Sequence, residues 1–159
     1  MNQTTPNSAP LPWFLIIGLL AGVAFVAYIV WDSAKPPPGH ATSENVVELT
    51  TENWQREVIE SNVPVFVDFT ASWCPPCKAF APTVSKLADR YKGKIKVAKF
   101  DVGDNGFSKA GDLPSTYGFN AIPHVLIFMP GSSEPVQRFK GGPSENQVAR
   151  VFDKLLASQ

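Results

Sequence analysis

Residues 73–78 read Trp-Cys-Pro-Pro-Cys-Lys, between an apolar run at residues 63–70 and an amphipathic run at residues 78–91. Periodicity predicts that the first run is a buried strand and the second a helix. At the first turn of a helix, the first sulfur of a Cys-x-x-Cys lies near unpaired N–H groups and the positive end of the helix dipole, which favours its thiolate. The stretch therefore predicts a redox-active pair, Cys74 and Cys77.

Two other roles for this pair are disfavoured. A structural zinc site needs about four Cys or His ligands, and beyond the only two cysteines the chain offers just His40 and His124. A disulfide that closes so short a loop removes little entropy from the unfolded chain, so an inert staple is a weak explanation. The strand-to-helix context favours redox chemistry over both.

Composition limits the domain count and the class of partner. With 159 residues, 44% of them hydrophobic, the chain can supply one cored domain plus an appendage. Its 14 basic and 14 acidic residues balance, so charge gives no reason to expect nucleic acid as a partner.

The amino-terminal part divides into three segments before a globular domain at residues 46–159. Residues 1–12 are polar and aperiodic, which predicts a disordered tail. Residues 13–31 are uncharged with a tryptophan at each end, and as a helix they would cover roughly 28 Å, which predicts a transmembrane anchor. A cleaved secretory signal and a buried core helix are the alternatives. Residues 32–45 are proline-rich and predict a linker.

Flanking charge and compartment together predict the orientation of this anchor. The positive-inside rule has only Lys35 to count, on the carboxyl side of the span, and taken alone it favours a cytoplasmic domain. An anchored dithiol protein has its task where disulfides form and persist, however. We therefore expect the domain to be extracytoplasmic, on a bacterial inner membrane.

The pattern in the domain predicts strands alternating with helices and a hairpin that closes the sheet. Thr50 or Thr51 is expected to cap a first amphipathic helix in which Trp54, Val58 and Ile59 face inward. The other expected elements are strands at residues 46–49, 62–70, 95–100, 123–129 and 136–139, helices at 78–91 and 143–156, and a loop with a short helix at 106–117.

The motif resembles the active site of the thioredoxin family, which reads Trp-Cys-Gly-Pro-Cys-Lys. Proline replaces the glycine at Pro75, and the other five positions match: Trp73, Cys74, Pro76, Cys77 and Lys78. The resemblance covers residues 46–159. It implies an α/β thioredoxin fold, a central mixed β-sheet flanked by helices, here preceded by one transmembrane helix.

The resemblance also implies roles for residues outside the motif. An aspartate at the position of Asp68 lies buried behind the active site in thioredoxins and relays a proton to or from the second cysteine, and Lys99 matches the lysine near it. Ile122-Pro123 matches the family's cis-proline, whose loop pairs with the substrate backbone, and Gly141 matches the loop that borders the groove. Pro82 matches the kink of the active-site helix.

Thiol-disulfide exchange is the mechanism that these residues predict. Cys74, exposed at the helix start, attacks a substrate disulfide as a thiolate, and the more buried Cys77 resolves the mixed disulfide with Asp68 as general base. No metal or cofactor beyond the disulfide is expected. An apolar ledge for an extended substrate segment is expected from Trp73, Pro76, Ile122, Pro123 and Gly141.

Two features depart from the family pattern. Residues 104–113 indicate an added loop or turn, which either shapes partner choice or has no role. His124 follows the cis-proline where simple thioredoxins carry threonine. It is either a partly buried polar residue or a titratable group that tunes the thiols.

The residues between the cysteines predict the direction of the reaction. Pro75 and Pro76 have no N–H, so the Cys74 thiolate has fewer donors, which favours a more reducing protein and a reductase. By analogy with anchored thioredoxin-like proteins that prepare apocytochromes c, the partners would be protein disulfides and a membrane thiol-electron donor. A disulfide oxidase or isomerase and a tethered peptide-binding module are the alternatives.

Overall fold

The computed structural model describes residues 21–28 and 43–158, and the chain divides into two units at residues 1–38 and 39–159. In the first unit, residues 21–28 are helical with exposed apolar side chains, including Val23, Phe25, Val26 and Tyr28. Within the described ranges, no helix is long and apolar enough to cross a membrane. The predicted tail, the rest of the predicted span and most of the predicted linker lie outside the described residues.

The second unit is built on a five-stranded mixed sheet with the strand order β1-β3-β2-β4-β5. The first three strands in that order are parallel, and the β2-β4 and β4-β5 pairs are antiparallel. This is the mixed sheet that the resemblance implies. The strands are β1 (Val46–Leu49), β2 (Val65–Thr70), β3 (Lys96–Asp101), β4 (His124–Phe128) and β5 (Pro135–Lys140).

Three α-helices complete the unit: α1 (Pro75–Arg90), α2 (Leu113–Tyr117) and α3 (Glu145–Ala157). The active-site helix α1 begins three residues earlier than the predicted helix, because prolines suit the first turn, where N–H groups have no helical partner. Pro82 lies inside α1, as expected. Helix α3 begins after Ser144, whose hydroxyl accepts from the Gln147 N–H in a capping box.

The prediction of a first amphipathic helix is wrong, because the structure has only a short π-helical turn at this place. Residues Gln55–Ile59 make a single π-helical turn, closed by the Glu60 N–H on the Gln55 carbonyl, and Trp54 at its start makes no side-chain cap. Thr50 instead exchanges hydrogen bonds with Asn53 one turn earlier. One turn suffices because it already buries Trp54 and Val58.

Apolar side chains cover both faces of the sheet. On one face, Phe66 packs with α1 and with Phe152 of α3. On the other, Trp54 lies within 6.1 Å of four aromatic rings, and both cysteines belong to this cluster. Because a buried aromatic side chain contributes roughly 3–5 kcal/mol, these two layers hold the ends of β2 and α1 in place.

Candidate active site

The Cys-Pro-Pro-Cys turn joins the end of β2 to the start of α1. Cys74 is the N-cap of α1, with extended backbone angles, and its Sγ accepts a hydrogen bond from the Cys77 N–H at 3.3 Å. Pro75 and Pro76 occupy the first two helical positions, lie exposed and have no N–H to offer. The sulfur thus takes the place of a capping oxygen at the positive end of the helix dipole.

Cys74 and Cys77 form a disulfide with a Cα–Cα distance of 5.3 Å. The expectation that Cys74 is exposed is wrong for this oxidised state, because Cys74 is 3% exposed and Cys77 1%. The first turn of α1 directs both side chains into the aromatic cluster, and Ile122 packs against that cluster. Cys74 Sγ lies 3.9 Å from the Ile122 carbonyl oxygen.

The Ile122-Pro123 peptide bond is cis, as the resemblance implies. The Pro123 carbonyl accepts a hydrogen bond from the Gly141 N–H at 2.9 Å, which ties the loop before β4 to the end of β5. Gly141 has a φ of 89°, where a side chain would be strained. The structure thus places Cys74 beside Ile122 and Gly141 beside Pro123, although their substrate-binding roles remain predictions.

Trp73 lies next to the disulfide and is 48% exposed. Its indole N–H donates to the Gly103 carbonyl at 2.8 Å, and the neighbouring Ser72 hydroxyl donates to Asp104 at 3.2 Å. Gly103 and Asp104, at the start of the predicted added loop, therefore hold Trp73, which is one residue of the predicted substrate ledge. Sequence analysis did not identify Gly103, since a backbone carbonyl leaves no residue-type signal.

Asp68 lies in β2 and is 3% exposed, and its Oδ1 has no hydrogen-bond partner among the described residues. Burial raises the pKa of Asp68 from 3.8 to about 7, although the positive charge of Lys99 opposes the rise. Asp68 lines a cavity of about 250 Å³ together with Lys78 and Lys99. A cavity of this size and polarity can admit water to the carboxyl group.

Lys99 lies on β3 directly beside Asp68 in the parallel register, as predicted. Its ammonium group forms an ion pair with Glu48 of β1, with 2.8 Å between Lys99 Nζ and Glu48 Oε1. Glu48 was not predicted as a site residue, because an alternating strand pattern gives a glutamate the appearance of a solvent-facing position.

His124 begins β4, directly after the cis-proline, and is 5% exposed. Its ring stacks on Phe119 with 4.8 Å between centroids, and its Nε2 has no partner within the described part of the chain. Burial lowers the pKa of His124 below 6.5, and the positive charges of Arg138 and Lys140 lower it further. His124 is therefore neutral at pH 7.

The described residues of this site contain no cluster of metal-binding side chains. Across residues 21–28 and 43–158, no group of three or more His, Cys, Asp or Glu side chains is arranged to hold a metal ion. The arrangement instead offers a disulfide and a buried carboxyl group of nearly neutral pKa.

The family model described as Thioredoxin matches residues 45–154. The chain belongs to the thioredoxin family. It is 35% identical over 111 residues to Thioredoxin of Pseudomonas aeruginosa, covering 70% of this chain and 96% of that protein. It is 37% identical over 114 residues to Thioredoxin C-2 of Corynebacterium nephridii, covering 72% of this chain and 99% of that protein.

A third relative, Thioredoxin 1 of Nostoc sp., is 37% identical over 112 residues, 70% of this chain and 90% of the relative. Together with the disulfide at the start of α1, this membership makes the chain a thioredoxin-like thiol-disulfide oxidoreductase acting on protein disulfides. Thioredoxins need no cofactor beyond this disulfide.

Proposed function

We propose that this thioredoxin-family protein is a membrane-anchored disulfide reductase for extracytoplasmic proteins. The N-cap of α1 is the observation that favours reduction of the substrate over its oxidation. The Cys77 N–H donates to Cys74 Sγ, while the two intervening residues are prolines without an N–H. Fewer donors stabilise the Cys74 thiolate less, which makes the reduced protein a stronger electron donor.

The reaction begins from the reduced dithiol. The Cys74 thiolate attacks one sulfur of a substrate disulfide, forms a mixed disulfide and releases the other substrate sulfur as a thiolate. Cys77 loses its proton to Asp68 as general base and attacks Cys74 Sγ. The second substrate sulfur then leaves as a thiolate. The two electrons lost by the Cys74/Cys77 dithiol, which is now a disulfide, are carried by the two substrate thiols.

Asp68 suits the proton step because its pKa of about 7 lies near working pH. Part of the population is then ionised and can accept the Cys77 proton, and the protonated form can return it to solvent through the cavity. Both cysteines lie in the same buried cluster, so water has little direct access to Cys77.

The membrane anchor is supported by composition. Residues 13–31 carry no charge, and at the described positions 21–28 the chain is helical with exposed apolar side chains that a lipid phase would cover. The residues after the span are proline-rich and would hold the domain off the membrane. The extracytoplasmic orientation rests on the compartment in which disulfides persist.

Catalytic turnover requires a source of electrons for the Cys74–Cys77 disulfide. In an extracytoplasmic compartment we assign this role to a membrane thiol-electron donor, by analogy with systems that keep apocytochrome c cysteines reduced. The substrates are protein disulfides in extended segments that lie along Trp73 and the Pro123 loop.

The reduction potential of the Cys74/Cys77 pair tests the direction. The full chain is equilibrated against dithiothreitol and glutathione buffers, and the fraction of disulfide is measured by thiol alkylation. A value near −270 mV supports the reductase, whereas a value near −120 mV would identify a disulfide donor.

A pair of cysteine variants tests whether the fold is catalytic or only a peptide-binding module. Cys77→Ser cannot resolve the mixed disulfide and should accumulate covalent adducts with substrate proteins, while Cys74→Ser should form none through this route and lose turnover. Equal, non-covalent capture of partners by both variants would favour the binding module.

Anchoring and orientation are tested by fractionation and by protease treatment of spheroplasts. The proposal predicts that the full chain sediments with membranes and that protease removes the domain without cell lysis. Recovery in the soluble fraction, or protection of the domain until lysis, would contradict it.

A further inference from the structure

Three charged side chains lie in one row across the parallel part of the sheet. Glu48 of β1 is the register partner of Lys99 of β3, and Lys99 is the register partner of Asp68 of β2. Directly paired residues on neighbouring strands project on the same face, and all three residues line the same cavity. Lys99 therefore lies between two carboxyl groups.

The two carboxyl groups differ in their access to water. The Glu48 side chain is 65% exposed, and its Oε1 lies 2.8 Å from Lys99 Nζ. Asp68 is buried, and its Oδ1 has no hydrogen-bond partner among the residues that the structure describes. The exposed carboxylate thus holds the ammonium group at short range.

We propose that Glu48 is a positioning residue for the proton relay, which binds the Lys99 ammonium and partly cancels the charge that would otherwise hold Asp68 ionised. A neutralised Lys99 attracts an ionised Asp68 less, so the Asp68 carboxyl keeps its proton to a higher pH. This inference rests on the proposed function, because the relay role of Asp68 is part of it.

The other charged residues in the cavity lining are Asp101 and Lys78. Asp101 of β3 lines the cavity but is paired with Lys109, with 2.9 Å between Lys109 Nζ and Asp101 Oδ2. Helix α1 contributes Lys78 to the lining, and on β4 the residue opposite Asp68 is Val125, which carries no charge.

Carboxyl titration of the full-length oxidised protein tests the proposal. The ¹³C shift of the Asp68 carboxyl is followed against pH in the disulfide form, where the cysteines do not titrate. Glu48→Gln should move the Asp68 midpoint to lower pH by about 0.5–1, because Lys99 is then no longer neutralised. Glu60→Gln is the matched control, since Glu60 is exposed beyond the opposite end of β2 and should leave the midpoint unchanged.

Variants made in a Lys99→Met background separate an effect of Glu48 that acts through Lys99 from direct repulsion between Glu48 and Asp68. Lys99→Met alone should move the Asp68 midpoint to higher pH, and adding Glu48→Gln to it should then have little further effect. An unchanged or higher midpoint in Glu48→Gln would overturn the proposal, as would an undiminished Glu48 effect in the Lys99→Met background. Glu48→Asp, which keeps the charge, should retain most of the original midpoint.

This titration does not depend on turnover. A Glu48 effect on the midpoint together with an oxidising reduction potential would leave the positioning role standing and contradict only the reductase function.

Discussion

Asp68 and His124 are two buried titratable residues, one in each of the neighbouring strands β2 and β4. Each has a side-chain atom without a hydrogen-bond partner among the described residues, and burial favours the neutral form of both. Asp68 faces a cavity whose lining includes the ammonium groups of Lys78 and Lys99, whereas His124 is covered by the Phe119 ring.

The difference shows that burial alone does not produce a proton relay. The Asp68 pKa is raised to about 7, so both of its protonation states are populated at neutral pH and the cavity gives protons a route. The His124 pKa is lowered away from neutrality by burial and by two positive charges, so one form dominates. We therefore assign proton transfer to Asp68 and packing to His124.

The largest expected effect is on stability in Asp68→Asn. The folded pKa of Asp68 exceeds its ordinary value of 3.8, so the wild type loses stability as pH rises from about 4 to about 7. The neutral amide avoids this loss. At pH 8 the oxidised variant should be more stable by up to about 4 kcal/mol in urea unfolding.

The comparison of Asp68→Asn with the wild type at pH 4 is the control for this prediction. There Asp68 is protonated in the folded wild type and only about half ionised in the unfolded chain, so the difference from Asp68→Asn should fall to about 0.5 kcal/mol. Equal stabilisation at pH 4 and pH 8 would show that ionisation of Asp68 is not the cause.

The next effect is kinetic and concerns the step that releases substrate. Without a base, Asp68→Asn should resolve its mixed disulfide about 10²-fold more slowly at pH 7. In the wild type this rate should fall as pH drops below about 7, because Asp68 becomes protonated. Stopped-flow measurements on a preformed mixed disulfide give this resolution rate. A wild-type rate in Asp68→Asn would show that Asp68 is not the general base.

A smaller effect is expected for His124→Gln, which removes the ring stack. At pH 8 the variant should be about 1 kcal/mol less stable. The wild type loses stability as pH falls below 6.5, because its folded His124 pKa is lowered, and the variant does not share this loss. The difference in unfolding free energy between wild type and His124→Gln, measured in urea, should therefore become smaller in acid. A difference that does not change with pH would contradict the lowered pKa of His124.

The smallest effect is expected for Arg138→Gln. Removing this positive charge should raise the His124 pKa slightly, since Arg138 opposes the imidazolium. The Arg138 side chain is 43% exposed, so the change should be a few tenths of a pH unit and should shrink in high salt. Imidazole ¹H titration measures it, with Arg150→Gln on helix α3 as the control that should cause no change.

Local sequence patterns predicted much of the fold. The bounds of β1 were predicted as residues 46–49, and α3 was predicted within two residues at each end. These elements have strong periodicity and clear caps, which act over a few residues. The π-helical turn at Gln55–Ile59 was mistaken for a longer helix, because a short apolar pattern does not fix the number of turns.

The site was predictable where chemistry is tied to residue type. The cysteine pair and its position at a strand-to-helix junction follow from the residues alone, whereas the roles of Asp68 and Lys99 came from resemblance. The prediction that Cys74 is exposed was wrong, because the burial of Cys74 depends on Ile122, 48 residues away along the chain. Glu48 and Gly103 were missed because only packing brings them to the site.

The sequence by itself determined that this chain carries a dithiol at a helix start and an apolar run before its domain, because those properties depend on neighbouring residues. Tertiary structure alone decided which charges surround Asp68 and what covers the disulfide and His124. Strand register and the surrounding dielectric set those interactions, and both arise from contacts between segments distant in sequence.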